Sequence, residues 1–237
     1  MSPTHRLGLR LSLQGSEILK TLLELPTKPQ IYAFTRKPLS RNEQNCQEIV
    51  NTDSSAWPKQ LQELKPYPTA LITALGTTRA QAGSFEAQRK IDYDLNLALL
   101  EAAKDSQSKI GVLISATGTS AKSMMPYSKM KGQLEDSFQE LGFSHTIIVR
   151  PGLLVGERQD TRIAEALLRK LATGVGQLHN GLKDFWAQDA HVIARAAVSA
   201  TIQCAEGKRE PGKHIPELSF TLLVLSRNLS RLLCNDL

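Results

Sequence analysis

A tyrosine and a lysine four residues apart, Tyr127 and Lys131, open an amphipathic stretch twelve residues after Ser115. On a helix, positions four apart share a face, so the ammonium can lie close to the phenol. A tyrosine with its ordinary pKa near ~10 is a poor acid or base at neutral pH unless positive charge stabilises its phenolate. Lys131 could supply that charge and lower the phenol's pKa, while Ser115, at the end of the apolar run 110–115, could hold a substrate oxygen. The chemistry in view is proton exchange with a carbonyl or alcohol oxygen. A surface Tyr and Lys at this spacing usually do nothing, so the surrounding elements decide what the set is worth.

Those elements alternate short apolar runs with longer helical patterns, the sign of βαβ units in a parallel sheet covered on both faces. The pattern predicts strands over 30–34, 48–50, 70–75, 110–115 and 145–149. Helices are expected over 15–25, 57–64, 85–104, 127–141, 162–173 and 190–205. Pro26, Pro38, Pro66, Pro68 and Pro151 fall at the joins, where the missing N–H costs little. With 237 residues and 41% hydrophobic content, the chain fits one α/β domain, a doubly wound parallel sheet.

Ligands of such a sheet bind beyond the carboxyl ends of its strands, so the residues that follow each strand carry the functional reading. The second strand, 30–34, ends in Thr35-Arg36-Lys37, where an Asp or Glu would bind an adenine-ribose 2′-hydroxyl. Arg36 and Lys37 instead suit a 2′-phosphate, which favours NADPH over NADH; a solvated basic loop accounts for them equally well. Asp53 either faces an adenine ring or caps a helix. Leu75-Gly76-Thr77-Thr78-Arg79 and Ser115-Ala116-Thr117-Gly118-Thr119-Ser120 are small and hydroxylic, which lets a cofactor approach the backbone, as would ordinary turns. Arg150 reads as a structural salt bridge before a catalytic group, and Trp186 as core or pocket lining.

A net charge of +6 admits nucleic acid, an anionic membrane surface or a phosphorylated cofactor as partner. The basic residues are scattered, with no block of five or six and no aromatic-basic RNA motif, which argues against nucleic acid. Cys46, Cys204 and Cys234 are odd in number and far apart, and the five histidines form no ligand cluster, so neither a disulfide framework nor a metal is expected. No apolar run approaches the ~18 to 20 residues of a membrane span. The first sixteen residues carry His5, Arg6 and Arg10 and one acid-free stretch of Leu and Ser, which suits a mitochondrial presequence or an ordinary basic N-terminus.

In order along the chain, Leu75 to Arg79, Ile91-Asp92-Tyr93-Asp94, Val112-Leu113-Ile114-Ser115, Tyr127 to Gly132 and Arg150 to Arg158 resemble one family. It is the fungal mitochondrial outer-membrane proteins first found in the mitochondrial proteome, relatives of the HIV Tat-interactive oxidoreductase-like protein. Both groups are atypical short-chain dehydrogenases/reductases with a Rossmann-like domain. The resemblance implies an NAD(P)-binding domain over 15–206, flanked by a divergent basic segment, 1–14, and a divergent tail, 207–237. It implies NADP(H) as cofactor, a small carbonyl substrate and peripheral attachment to the outer mitochondrial membrane. Tyr127 would exchange the proton, Lys131 would bind the nicotinamide ribose and Ser115 would orient the carbonyl, with Gly15, Arg36, Lys37, Asp53, Leu75 and Gly76 at the cofactor.

The chain departs from this family at its start. Members carry an apolar first strand and a Gly-x-Thr-Gly-x-x-Gly loop that receives the pyrophosphate. Here only Gly15 stands at the last glycine position, and Arg6 and Arg10 among the leucines argue against a buried central strand. A non-catalytic interaction or nucleotide-sensing module therefore stands as the alternative.

Overall fold

The computed structural model describes residues 6–10, 13–39, 43–151, 153–155 and 187–211. Six parallel strands form one sheet: β1 (Arg6–Arg10), β2 (Gln30–Thr35), β3 (Cys46–Val50), β4 (Ala70–Thr73), β5 (Ile110–Ile114) and β6 (His145–Val149). Their order is β3-β2-β1-β4-β5-β6, so the chain winds outward from β1 in one direction and then from β4 in the other. This is the order of a Rossmann-like doubly wound sheet, and it opens a crevice at the carboxyl ends of β1 and β4. A short parallel pair, β7 (Leu153–Val155) with β8 (Ala187–Asp189), forms a second sheet that the sequence pattern did not predict.

The helices sort to the two faces by the period-two alternation of the strands. On one face Ile31, Ile72, Ile110, Val112, Ile114, Ile147 and Val149 pack with α1 (Leu13–Leu23) and α7 (Ala190–Ala205) through Ile18, Leu22, Ile193 and Ala197. On the other, Tyr32, Phe34, Leu71, Leu113 and Ile148 meet α2 (Trp57–Glu63), α5 (Asn96–Asp105) and α6 (Pro126–Glu140) through Trp57, Leu61, Leu100, Leu134 and Phe138. Ser115 stands two residues after Leu113 and so belongs to the face that α6 covers.

Two differences from the sequence pattern bear on the site. Arg6–Arg10 is a central strand, paired with both β2 and β4, where the arginines had argued against a buried central position. The register supplies a reason: β4 pairs only with Leu7, Gly8 and Leu9, so both arginines stand at the ends of the strand. The helix expected over 85–104 is three pieces, α4 (Phe85–Arg89), a π-helical turn (Lys90–Leu95) and α5. A π turn leaves carbonyls without their usual helical donors. Asn96 supplies one: its Nδ2 donates to the carbonyls of Ile91 and Asp92, at 3.0 and 3.1 Å. The helix expected over 162–173 and Trp186 lie outside the described residues.

Gly111 of β5 faces the ring of Phe138, and a methyl added there would stand 2.6 Å from Phe138 Cε2. Phe138 is fully buried and cannot swing away. Gly111→Ala is expected to destabilise the fold by about 1–3 kcal/mol through overpacking, measured as a lower denaturation midpoint at unchanged slope.

Candidate functional site

Every strand of the main sheet ends on the same edge, and the residues expected to do chemistry collect there. Ser115 follows β5 directly and is held by its backbone N–H, which donates to the carbonyl of Val149 at 2.8 Å. Its side chain is buried, and its Oγ makes no hydrogen bond among the described residues. Thr35, at the end of β2, likewise has a buried Oγ1 without a partner. A buried hydroxyl without a partner costs free energy, so each is a place where a bound polar group would be stabilised.

Helix α6 rises beside Ser115 with Tyr127 and Lys131 one turn apart. Its place is set by Gly132: a Cβ there would come within 2.2 Å of Ala121 N and of the carbonyl carbon of Ser120. One turn on, Glu135 is buried and accepts from Thr119 Oγ1 at 2.9 Å and from Arg150 Nη2 at 2.5 Å. The loop after β5, helix α6 and the end of β6 are thus locked together. Arg150 is the salt-bridging residue that the sequence suggested.

Lys131 is buried, with Nζ 3.5 Å from the carbonyl oxygen of Ile114. Burial pulls its ammonium below the usual lysine range, and the negative charges of Asp92 and Glu135 oppose that pull. Tyr127 is different. Desolvation, then the charge of Asp92, push its hydroxyl up to about 12, although 42% of the residue's surface stays in solvent. The spacing argument expected Lys131 to hold this phenol low. The direction is reversed first because burial disfavours the charged phenolate, and then because Asp92 sets a negative charge against it.

Tyr127 lines a cleft of about 420 Å³ with Thr77, Arg79, Phe85, Gln88 and Pro126. One wall is therefore the segment after β4. Leu75 is buried in the core beneath that wall, and Gly76 is exposed above it. Arg36 and Lys37 are exposed at the end of β2, one strand beyond β1. Gly15 falls inside the first turn of α1 and is buried. Asp53 is a cap: its Oδ1 accepts from Ser55 N and Ser55 Oγ at 2.9 and 2.7 Å. The edge thus brings Ser115, Lys131 and Tyr127 near the segment 75–79, while Asp53 is committed to local structure.

Two participants were missed by the sequence reading. Asp92 is buried and accepts from the backbone N–H of Thr77 at 2.7 Å. Gln88 Nε2 donates to the Thr77 carbonyl at 3.1 Å and reaches Asp92 Oδ2 at 3.4 Å. The signal that could have found Asp92 is an acid on the apolar face of the 85–104 pattern, since a carboxylate is rarely fully buried without a partner.

The profile of the HIM1 family matches residues 41–180. The chain belongs to that family. Among its relatives are the fmp52 proteins named mitochondrial. That of Emericella nidulans is 43% identical over 202 residues, covering 84% of this chain and 87% of its own. That of Aspergillus fumigatus is 45% identical, over 84% and 86%. Solved structures share the fold of this HIM1 family member. An oxidoreductase, ylbE, from Lactococcus lactis aligns over 93% of this chain and 95% of its own, with a TM-score of 0.59 and 17% identity. The Bordetella bronchiseptica enzyme WbmH, solved with NAD+, aligns over 84% and 72%, with a TM-score of 0.57 and 14% identity.

The raised phenol gives a direct check. In the ligand-free chain, the absorbance change of tyrosinate contributed by Tyr127, obtained by subtracting Tyr127→Phe, is expected to lie above pH 11 and near the value of about 12. A midpoint at or below the ordinary ~10 contradicts the electrostatics described here.

Proposed function

We propose that this chain is an NADP(H)-dependent oxidoreductase that reduces a small carbonyl compound and sits peripherally on the mitochondrial outer membrane. The observation that carries the reading is the buried, unpartnered Ser115 Oγ at the carboxyl edge, beside the helix that presents Tyr127 and Lys131. The fit of a dinucleotide is supported by Thr35 Oγ1, also buried without a partner, by the exposed cations Arg36 and Lys37, and by exposed Gly76 beside the cleft. The NAD+ bound by WbmH and the resemblance to the Tat-interactive oxidoreductase-like group support the same chemistry.

In this reading the cofactor, when bound, supplies the hydride. Ser115 Oγ donates a hydrogen bond to the substrate oxygen, and Tyr127, protonated at neutral pH, donates the proton that completes the alcohol. The charge of Lys131 offsets the phenolate that Tyr127 becomes. Arg36 and Lys37 would face the 2′-phosphate and favour NADPH.

The second reading is a non-catalytic nucleotide-sensing or interaction module. It is favoured by one feature, the single glycine, Gly15, between β1 and the body of α1. A thermal-shift series separates the two, since a ligand that binds only the folded state raises the midpoint. Saturating NADPH is expected to raise it more than NADH, and Tyr127→Phe to cut carbonyl-dependent NADPH oxidation by roughly 100-fold or more while leaving that shift intact. No shift with either dinucleotide rejects the enzyme in favour of an interaction module.

Peripheral placement is supported by the mitochondrial names of the relatives and by the rim of the cleft. Met124 is fully exposed and Met125 67% exposed, between the exposed cations Lys122 and Lys129. Among the described residues no helix is long and apolar enough to cross a membrane. Two methionines entering a bilayer contribute up to about 1.5–3 kcal/mol each. Met124→Ser with Met125→Ser is therefore expected to reduce co-sedimentation with anionic phospholipid vesicles by about tenfold or more. Equal sedimentation of variant and wild type removes this rim from the account.

A further inference from the structure

The loop after β4 is held by an unusual arrangement, in which a single residue is bound through both of its backbone groups to side chains from one helical segment. Thr77 N–H donates to Asp92 Oδ1 at 2.7 Å, and Thr77 C=O accepts from Gln88 Nε2 at 3.1 Å. Gln88 also approaches Asp92 Oδ2 at 3.4 Å, so the two side chains brace each other. The π turn moves Asp92 out of the regular helical progression, and Asn96 secures the carbonyl behind it. The same segment is tied to α6, since the Tyr93 hydroxyl lies 3.0 Å from Ser137 Oγ and Arg89 Nη1 donates to Gln133 Oε1 at 3.3 Å.

We infer that Asp92 is a positioning residue of the site: one buried carboxylate clamps the loop 76–78 at the cleft wall and also serves as counter-ion to Lys131. The inference rests on the reading of this edge as a dinucleotide and carbonyl site. The charges around Lys131 support the assignment. Asp92 from the π turn and Glu135 from its own helix both favour the ammonium. Glu135 is bound to Arg150, whose guanidinium offsets its charge, and Arg89 is stacked on the Tyr93 ring. Tyr127, one turn before Lys131, is neutral at ordinary pH. Because the Asp92 carboxylate also binds Thr77 N–H, a change in the loop at the cleft is felt at the buried lysine.

The test uses the full chain with lysine labelled at 13Cε, and with the Lys131 resonance identified by its loss in Lys131→Arg. Asp92→Asn keeps the side chain's shape and removes its charge. In that variant Lys131 is expected to lose its proton about one pH unit or more below the wild-type midpoint, because removing a neighbouring anion disfavours the ammonium. The Thr77 amide is expected to exchange with solvent about tenfold faster as the clamp weakens. Thr73→Val, which removes the nearby bond from Thr73 Oγ1 to Asn96 Oδ1 without touching a charge, is the control for a general loss of packing.

An unchanged Lys131 midpoint in Asp92→Asn, or an equal change in Thr73→Val, overturns the inference. Asp92→Glu retains the charge and guards against a variant that fails to fold: it is expected to keep the Lys131 midpoint while exchanging the Thr77 amide faster. A normal Thr77 amide in Asp92→Glu overturns the clamp. NADPH titration of the wild-type chain runs in parallel, and absence of binding there overturns the cofactor reading while the two ligand-free measurements still decide the role of Asp92.

Discussion

The site depends on the close approach of α6 to the loop that follows β5. Gly132 lets the helix touch the Ser120–Ala121 backbone, at a distance where any side chain would force the two apart. Glu135 then closes the contact from the next turn, binding Thr119 on the loop and Arg150 at the end of β6. Glu135 is buried and Arg150 is partly exposed, so the carboxylate is held by its protein partners while the guanidinium still reaches solvent. Ser115 and Lys131 are brought under one edge because this latch leaves them no other place.

From that latch, the electrostatics of the edge follow. Lys131 lies below the surface near the carbonyl of Ile114, and Asp92 lies below the loop after β4. The ligand-free site therefore holds a neutral tyrosine near a buried lysine whose ammonium is disfavoured by desolvation and favoured by Asp92 and Glu135. Such a tyrosine is protonated at neutral pH, the state a donor needs, and its raised pKa makes it the weaker acid until something stabilises its phenolate.

Much of this was legible in the chain. Short apolar runs located five of the strands, since strands buried on both faces leave an almost continuous apolar signature. The Tyr127 and Lys131 spacing, read against Ser115, found the helix face and the strand end that share the edge. β1 was not legible, because arginines at both ends of a five-residue strand mask a core of Leu7, Gly8 and Leu9 that only the pairing with β4 shows to be central. Asp92 was hidden for a related reason. A π turn shifts its side chain relative to the 3.6-residue period, so helical spacing alone cannot predict that it meets Thr77. The direction of the Tyr127 shift was also out of reach, since it depends first on how far the fold buries the phenol and then on an anion 35 positions away in sequence.

The central claim is that the carboxyl edge of this sheet receives NADPH, and it is tested most directly by following backbone amide resonances as the dinucleotide is added. The account predicts that the amides of Arg36, Gly76, Thr77 and Ser115 shift together and saturably, with those at the opposite ends of the strands unmoved. Saturable shifts confined to another part of the molecule, or none at millimolar NADPH, would contradict it.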